Sequence, residues 1–297
     1  MPALFLSLNR FFYLLARLIT HTTFKDGGGF FVWNLPIDEN IPFISFFVIP
    51  YLLSFVYWII FPFVVYKIMG KNVFYRFVTA TLCAEIIGFF WLVILPSKLS
   101  YGDYVSRLSY KNQPLYGLMD ALVYKNDLPD NLAPSFHVLA SFLPFIACCS
   151  KNAKGKHNPW MVMSSGIAFI LIALSTLFVR QHYMADVFSS MLIVTVAYFA
   201  VCQWKWDLAI QKINEWWIVK FHWILFLHDK TKSKIYFQPK SAYRKVLFLI
   251  VFISCSLLIF AFIVYFAIAS TLIGDPFQSL WGFGLDKLWP GQPIPTI

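Results

Sequence analysis

Two short polar stretches interrupt long apolar segments of this chain, and both carry residues that can do chemistry. The first is Pro134-Ser-Phe-His137, and the second runs from Ser175 to Asp186. His182 and Asp186 are four residues apart, so on a helix they would share one face. A carboxylate that accepts a hydrogen bond from one imidazole nitrogen orients the ring and leaves the other nitrogen free to act as a nucleophile or base.

The other polar side chains of the two stretches suit a phosphate. Arg180 supplies a fixed positive charge with its donors in a fork, and His137 supplies a second imidazole that can protonate a leaving oxygen. Ser135, at an expected helix start, can present a hydroxyl and nearby backbone N–H groups to an anion. The set predicts phosphoryl transfer with a histidine nucleophile. A structural hydrogen bond between His182 and Asp186, a proton relay in a transporter and a zinc site are the alternatives, although Arg180 would repel a metal cation.

The composition indicates a polytopic membrane protein. Of 297 residues, 59% are hydrophobic and only 13% are charged, whereas soluble domains are about half apolar and about a quarter charged. We therefore expect an all-α transmembrane helix bundle that uses the whole chain. The five cysteines lie in or beside apolar runs, without the spacing of zinc ligands or of secreted disulfide frameworks, and are interpreted as packing residues.

The apolar runs predict about six spans. We place these spans at 43–66, 77–96, 134–149, 160–179, 187–203 and 246–273. The third run is short for a span, so its helix is expected to begin around Leu132, within the interface. Residues 3–19 are interrupted by Arg10 and Arg17, which favours an interfacial helix over an extra span. They are not followed by a small-residue cleavage site, which argues against a secretory signal peptide.

The distribution of basic residues predicts the orientation. The net charge of +10 could suggest nucleic acid, but in a membrane chain it more often reflects cytoplasmic loops. Fifteen Lys and Arg lie in the loops 67–76, 151–157 and 204–245, against seven in the other loops, so the first set is predicted to be cytoplasmic. Both polar stretches then fall on the extracytoplasmic or lumenal side. Residues 204–245 also contain five tryptophans, and we expect them to lie along anionic lipid rather than to bind nucleic acid.

The two polar stretches resemble the signatures of a known family. Pro134-Ser-Phe-His-Val138 resembles the second signature of the type 2 phosphatidic acid phosphatase (PAP2) superfamily, usually Pro-Ser-x-His, and Ser175–Asp186 resembles its third. The variant Gln-His-Tyr-x-x-Asp-Val is most similar to the branch that includes inositol phosphorylceramide synthases, sphingomyelin synthases and many bacterial PAP2 proteins. Asp38 to Phe43 also looks like that branch. The resemblance covers roughly residues 36–203.

The resemblance implies a role for each matching residue. His182 would attack phosphorus and become phosphohistidine, and Asp186 would orient it. His137 would donate a proton to the departing group, and Ser135 would bind phosphoryl oxygens. The implied enzyme is a membrane phosphatase that hydrolyses a phosphorylated or pyrophosphorylated lipid without a metal or other cofactor. The alternatives are a lipid phosphotransferase that passes a phospho-headgroup to an alcohol, and a non-enzymatic transporter or scaffold.

Two departures from the family pattern concern the residues that would bind the phosphate. The third signature usually has Ser-Arg, but here Ser175 is followed by Thr176, and Arg180 is the candidate replacement for that arginine. The first signature, Lys-x6-Arg-Pro, is not found. Lys98 and Arg107 are the nearest basic residues, with ordinary loop charges as the alternative interpretation. The predicted substrate-binding residues are therefore Ser135, Arg180, Ser175, Lys98 and Arg107.

The predicted organisation has four parts. Residues 1–35 form an N-terminal interfacial or membrane helix and loop, and 36–203 form the PAP2-like catalytic core. Residues 204–245 form a cytoplasmic basic and aromatic segment, and 246–297 hold a further span and a Pro-rich tail. The partners expected from this organisation are a lipid phosphate and membrane lipids.

Overall fold

The computed structural model describes residues 2–24, 28–125, 128–151, 155, 157–220 and 285–293. Within these ranges the chain is helical and contains no β-strand; two isolated bridges pair Phe31 with Ser97 and Lys98 with Asp130. The prediction of an all-α fold is confirmed for this part of the chain. The predicted span at 246–273 lies outside the described residues.

Most of the helices are long, and several short helical elements lie in the loop that precedes the third apolar run. The α-helices are α1 (Pro2–Thr23), α2 (Val48–Val64), α3 (Lys71–Ile94), α4 (Tyr101–Ser106), α5 (Tyr116–Met119), α6 (Phe136–Cys148), α7 (Pro159–Phe178), α8 (Met184–Trp204), α9 (Trp206–Lys220) and α10 (Leu285–Leu288). Short 3-10 turns lie at Asp38–Asn40, Ser45–Phe47 and Arg107–Tyr110, and π-helical turns at Val65–Met69 and Asp120–Tyr124.

Four helical stretches are long and apolar enough to cross a membrane. They are Ser45–Met69, Lys71–Ile94, Pro159–Phe178 and Met184–Trp204. Their outward faces carry large exposed apolar side chains such as Ile94 and Phe199, which are 67% and 66% exposed. A soluble protein would not present whole helix faces of this kind to water, and the chain is therefore an integral membrane protein. Helix α6 is apolar but shorter, with 13 residues.

The core of the bundle lies between α2, α3, α6 and α8. Helix α6 packs against α3, α7 and α8, and α3 also packs against α1 and α9. The central side chains are buried and aliphatic or aromatic, among them Leu92, Leu139 and Val194. Because α6 packs against α2, α3, α7 and α8, the residues at its start are held in one place relative to α7 and α8.

Helix α6 begins later than its sequence predicts. We expected its start around Leu132, but Leu132 and Ala133 both donate their backbone N–H groups to the Ser97 hydroxyl, at 2.9 and 2.8 Å. Pro134 follows and has no N–H to give to a helix. The helix therefore starts at Phe136, with Ser135 as its N-cap residue in extended conformation.

Helix α1 is fastened to the same loop by a buried ionic cluster. Arg17 is fully buried and donates from Nε to Asp130 Oδ1 at 3.1 Å, while His21 Nε2 bonds to the other oxygen of Asp130. Burial alone would raise the pKa of Asp130, but the facing Arg17 and His21 outweigh it and hold that pKa below its ordinary value. Arg17 thus pairs within the protein rather than facing lipid.

Helix α9 lies at the other end of the bundle. Lys71 Nζ contacts Glu215 at 2.8 Å, and Arg76 Nε contacts Asp207 at 3.3 Å, so α9 is joined to the start of α3. Trp204 is 63% exposed beside it. The segment predicted to lie on anionic lipid, 204–245, is described only as far as residue 220.

Candidate active site

The turn between α7 and α8 places His182. Helix α7 ends where Arg180 adopts a left-handed conformation with φ of +53°, and the Thr176 carbonyl accepts from the N–H groups of both Gln181 and His182, at 3.0 and 3.1 Å. Such a left-handed residue is a common way to end a helix and reverse the chain. His182 therefore lies in the turn before α8, and not on a helix with Asp186 as its spacing had predicted.

Asp186 orients His182 despite this difference. The Asp186 side chain is fully buried in the first turn of α8, and its Oδ2 accepts from His182 Nδ1 at 3.2 Å and from the Tyr183 backbone N–H at 2.9 Å. The second bond caps the start of α8, where backbone N–H groups have no partner within the helix. One carboxylate oxygen thus holds both the helix end and the imidazole, and His182 Nε2 is the ring nitrogen left for chemistry.

Two hydrogen bonds bring the start of α6 to the start of α8. The Ser135 N–H donates to the Asp186 carbonyl at 3.3 Å, and the Ser190 hydroxyl donates to the Ser135 carbonyl at 2.9 Å. As a result, the His137 ring lies 6.3 Å from the His182 ring, centroid to centroid. The two polar stretches predicted to meet are brought together by backbone contacts between their helices.

Aromatic side chains of α2 pack against the His137 ring. Tyr51 stacks on it at 4.3 Å with an angle of 27°, and the rings of Phe55 and Trp58 lie at 5.5 and 5.0 Å. These contacts leave His137 little room to change rotamer. Its imidazole is therefore fixed with respect to His182.

Several buried polar atoms around the two histidines have no hydrogen-bond partner among the described residues. They are Ser135 Oγ, His137 Nε2, Asp186 Oδ1 and Arg180 Nε. An unpaired buried polar atom costs about 1–3 kcal/mol. Native structures keep few such atoms, so these four call for a bound water, an ion or a ligand.

A cleft opens beside His182, with an empty volume of about 260 Å³ that includes its mouth. Its walls include His182, Arg180 and the carboxylate residues Asp38 and Asp103. Arg180 donates from Nη2 to the Ile41 carbonyl at 2.7 Å and from Nη1 to the Asp38 carbonyl at 3.3 Å. The guanidinium is therefore fixed in the wall of the cleft.

Asp38, Asp103 and Tyr183 belong to the site but were not predicted as site residues. Asp38 Oδ1 accepts from the Met184 N–H at 2.8 Å, at the positive end of α8. Tyr183 donates its hydroxyl to Asp103 Oδ2 at 2.7 Å, and burial raises the pKa of Tyr183, so it keeps that proton. Asp38 lies in the motif from Asp38 to Phe43, and Tyr183 lies within the second polar stretch. Asp103 stands in a tyrosine-rich loop without a recognisable pattern.

Arg107 supports the turn from behind. It is 2% exposed and donates from Nη2 and Nε to the Arg180 carbonyl, at 2.6 and 3.2 Å, and from Nη2 to Gln181 Oε1 at 3.3 Å. Its guanidinium also lies 4.3 Å from the Tyr124 ring centroid. Burial lowers the pKa of Arg107, yet the group stays charged because the ordinary pKa of arginine is so high. Arg107 thus holds the turn between α7 and α8 in place, and the substrate contact predicted for it stays a prediction.

Two other predicted substrate-binding residues lie away from the cleft wall. The Ser175 hydroxyl is fully buried and donates to the Ile172 carbonyl at 2.6 Å, within α7. Lys98 Nζ donates to the Leu288 carbonyl. Neither side chain lines the cleft, since each donates to a backbone carbonyl elsewhere, and Ser135 and His137 are likewise not among its lining residues.

No cluster of three His, Cys, Asp or Glu side chains in the described ranges is arranged to hold a metal ion. Comparison of the chain with protein-family models, with curated proteins and with solved structures finds no match. The fold and the site together define a class of protein. It is a helical membrane protein with a histidine pair, an orienting aspartate and a fixed guanidinium at one end of its bundle.

Proposed function

We propose that this protein is a membrane enzyme that transfers a phosphoryl group from a lipid phosphate to water through a phosphohistidine at His182. The observation that carries the proposal is the arrangement of the two imidazoles. His182 is held at Nδ1 by Asp186, and His137 Nε2 lies buried and unpaired in a ring 6.3 Å from it. A nucleophile with an orienting carboxylate and a facing proton donor is the arrangement that such a transfer requires.

The reaction would proceed in two steps. His182 Nε2 attacks phosphorus, the bond from phosphorus to the leaving oxygen breaks, and His137 gives that oxygen a proton. Water then attacks the phosphohistidine, His137 takes a proton from the water, and the bond from phosphorus to His182 breaks to release phosphate. Asp186 stabilises the charge on the His182 ring throughout. Ser135 Oγ and Arg180 Nε are the buried donors available to phosphoryl oxygens.

The proposed substrate is a phosphorylated or pyrophosphorylated lipid. Its support is the position of the site at one end of a bundle of apolar helices, where a lipid headgroup meets the protein. We place this end on the extracytoplasmic or lumenal side because the loops at the other end carry most of the Lys and Arg. A bundle of about six spans remains part of the proposal.

Asp103 favours a second candidate, a phosphotransferase. Its carboxylate lines the cleft with its Oδ1 3.8 Å from Arg180 Nη1, and its side chain is 27% exposed. A carboxylate at that place can accept a hydrogen bond from the hydroxyl of an acceptor alcohol. The phosphohistidine would then pass its group to that alcohol instead of to water.

The test is turnover by the purified full chain in detergent micelles with phosphatidic acid, phosphatidylglycerophosphate and a polyprenyl pyrophosphate, with EDTA present. Release of inorganic phosphate reports hydrolysis, and thin-layer chromatography with a labelled donor and an alcohol reports transfer. We expect His182→Ala to lower kcat by a factor on the order of 10⁴ and His137→Asn by a factor on the order of 10² to 10⁴. The exposed His157 provides the matched control, His157→Ala, which should keep full activity.

Trapping the intermediate makes the test specific. A labelled phosphate donor should leave acid-labile, base-stable label on the wild type and on His157→Ala, and none on His182→Ala. Full activity in His182→Ala would refute the mechanism. Absence of turnover with every lipid phosphate would instead favour a transporter or scaffold.

A further inference from the structure

Residues 285–293, termed here the C-terminal segment, lie at the same end of the bundle as the cleft. Leu288 is fully buried and Trp289 is 6% exposed, although neighbouring Pro290 and Gly291 are exposed. Helix α9 lies at the opposite end. The sequence predicted only a Pro-rich tail here, so burial of this kind calls for an explanation.

Three hydrogen bonds join the C-terminal segment to residues 98–101, the chain that leads into α4. They link Lys98 Nζ to the Leu288 carbonyl, Trp289 Nε1 to the Leu99 carbonyl at 3.2 Å, and the Tyr101 hydroxyl to the Pro293 carbonyl at 2.6 Å. Two of the three use side chains of the 98–101 chain as donors, and the third uses the Trp289 indole. The contact is thus built by both partners.

The Trp289 ring also packs into an aromatic cluster. Its centroid lies 4.7 Å from the Tyr104 ring and 5.8 Å from the Tyr101 ring. The same buried cluster includes Tyr183, the residue next to His182. Trp289 and the turn that carries His182 therefore pack on one shared set of side chains.

The link from this cluster to the nucleophile is short. The Tyr183 hydroxyl accepts from the Ser100 N–H at 2.8 Å and donates to Asp103 Oδ2 at 2.7 Å. Asp103 in turn faces Arg180 across the cleft. The 98–104 chain is thus held between the C-terminal segment on one side and the His182 turn on the other.

We infer that the C-terminal segment clamps residues 98–104, which contribute Leu99 and Asp103 to the wall of the cleft. Trp289 is then a positioning residue for the reaction proposed above, on which this inference rests. Without the indole, residues 98–104 lose both a hydrogen bond and their packing surface, and Asp103 and Tyr183 move relative to His182. Misplacement of reacting groups by about 1 Å can lower a rate by a factor on the order of 10². The segment acts at a distance from the substrate, so kcat should fall more than KM rises.

The experiment compares Trp289→Ala with Trp289→Phe in the full chain, using the lipid phosphate that the wild type turns over best. We expect Trp289→Ala to lower kcat about tenfold with KM changed less, and Trp289→Phe, which keeps a ring, to recover most of the loss. Trp160→Ala is the matched control, since Trp160 is 73% exposed at the start of α7. It should leave kcat unchanged.

A double-mutant cycle separates positioning from a general loss of stability. Tyr183→Phe removes the hydroxyl that joins the His182 turn to the 98–104 chain. If Trp289 acts through that chain, the double variant loses less kcat than the product of the two single losses, by at least about threefold. Independent, multiplicative losses would overturn the inference, as would an unchanged kcat in Trp289→Ala.

Limited trypsin digestion gives a readout that does not require activity. Lys111 is exposed and should be cut at the same rate in every variant, whereas Lys98, tied to the C-terminal segment, should be cut faster in Trp289→Ala than in the wild type. Equal cleavage at Lys98 in both proteins would refute the clamp. If the wild type turns over no lipid phosphate, the proposed function fails, and this comparison alone decides whether the segment holds the wall.

Discussion

Replacement of Arg107 by methionine tests whether this buried arginine holds the turn that carries His182 or binds substrate. The change keeps a long apolar side chain but removes the guanidinium and its bonds to the Arg180 carbonyl and to Gln181. If Arg107 bound phosphate, the variant would fold normally and bind substrate poorly. If it positions the turn, the variant should lose stability first.

The magnitude follows from the contacts. A hydrogen bond from a charged group contributes about 1.5–3 kcal/mol, and a buried acceptor left unpaired costs about 1–3 kcal/mol. Two of the three bonds share one acceptor, the Arg180 carbonyl, so we count the group as one strong contact and one weaker one. The expected loss in the free energy of unfolding is roughly 3–5 kcal/mol for Arg107→Met. Arg107→Lys keeps the charge and one donor direction, and should lose roughly half of that.

The assay combines stability with kinetics. Denaturant-induced unfolding in detergent gives the change in unfolding free energy, and lipid phosphate hydrolysis at a temperature where the variant is folded gives kcat and KM. The exposed Lys111 in the same loop provides the control Lys111→Met, which removes a cation without removing a buried contact. A wild-type unfolding free energy in Arg107→Met, combined with a large rise in KM, would refute the positioning role and favour a direct phosphate contact.

Three further predictions concern other parts of the site and its support. Asp186→Asn should lower kcat by a factor on the order of 10³ to 10⁴, because an amide can stabilise the wrong tautomer of His182; wild-type kcat would contradict this. Ser135→Ala should lower kcat about tenfold at unchanged stability. The Ser175 hydroxyl is bound within α7, so Ser175→Ala should change neither kcat nor stability. Equal effects of the two variants on kcat would contradict this distinction. The pKa of Asp130 is depressed in the folded protein, so its contribution to stability is complete above its unfolded pKa of about 4 and is lost as the pH falls towards the folded value. The difference in melting temperature between wild type and Asp130→Asn should therefore shrink as the pH falls below about 4, and a difference that grows as the pH falls through this range would contradict this sign.

The apolar spans could be placed closely from the sequence. The predicted run 160–179 corresponds to Pro159–Phe178, and 187–203 corresponds to Met184–Trp204. Hydropathy works here because a helix in lipid must be apolar along its whole length. The apolar run 134–149 also matches α6 (Phe136–Cys148), but the extension of its helix back to Leu132, inferred because the run is short for a span, was wrong: the Ser97 hydroxyl takes the backbone N–H groups of Leu132 and Ala133. Hydropathy patterns do not report such contacts.

The polar stretches also predicted which residues meet but not how. The spacing of His182 and Asp186 placed the pair together for the wrong reason, since His182 lies in a turn and reaches back to the first turn of α8. The basic residues were harder to assign. A charge in a loop sequence looks the same whether it faces a ligand or, as in Arg107, a backbone carbonyl.

The departure at Thr176 has a local explanation in the structure. Thr176 is fully buried, its hydroxyl donates to the Ala173 carbonyl at 2.8 Å, and its own carbonyl accepts from Gln181 and His182. An arginine side chain at this position would have to displace packed helix contacts. Arg180, four residues later in the left-handed position, does line the cleft.

The pattern of paired and unpaired atoms around His182 narrows what can occupy the site. Most polar groups of the turn are used: both terminal nitrogens of Arg180 bond to carbonyls, and Asp186 Oδ2 accepts two bonds. The donors left over are the Ser135 hydroxyl and Arg180 Nε, with His137 Nε2 able to donate when its ring is protonated. Asp186 Oδ1 is also buried and unpaired and is an acceptor, so a ligand that satisfies the whole set must bring acceptors together with a donor. In the proposed reaction the oxygens of a phosphoryl group would accept from Ser135 and Arg180, whereas a metal cation would add a positive charge beside Arg180 and leave these donors unpaired.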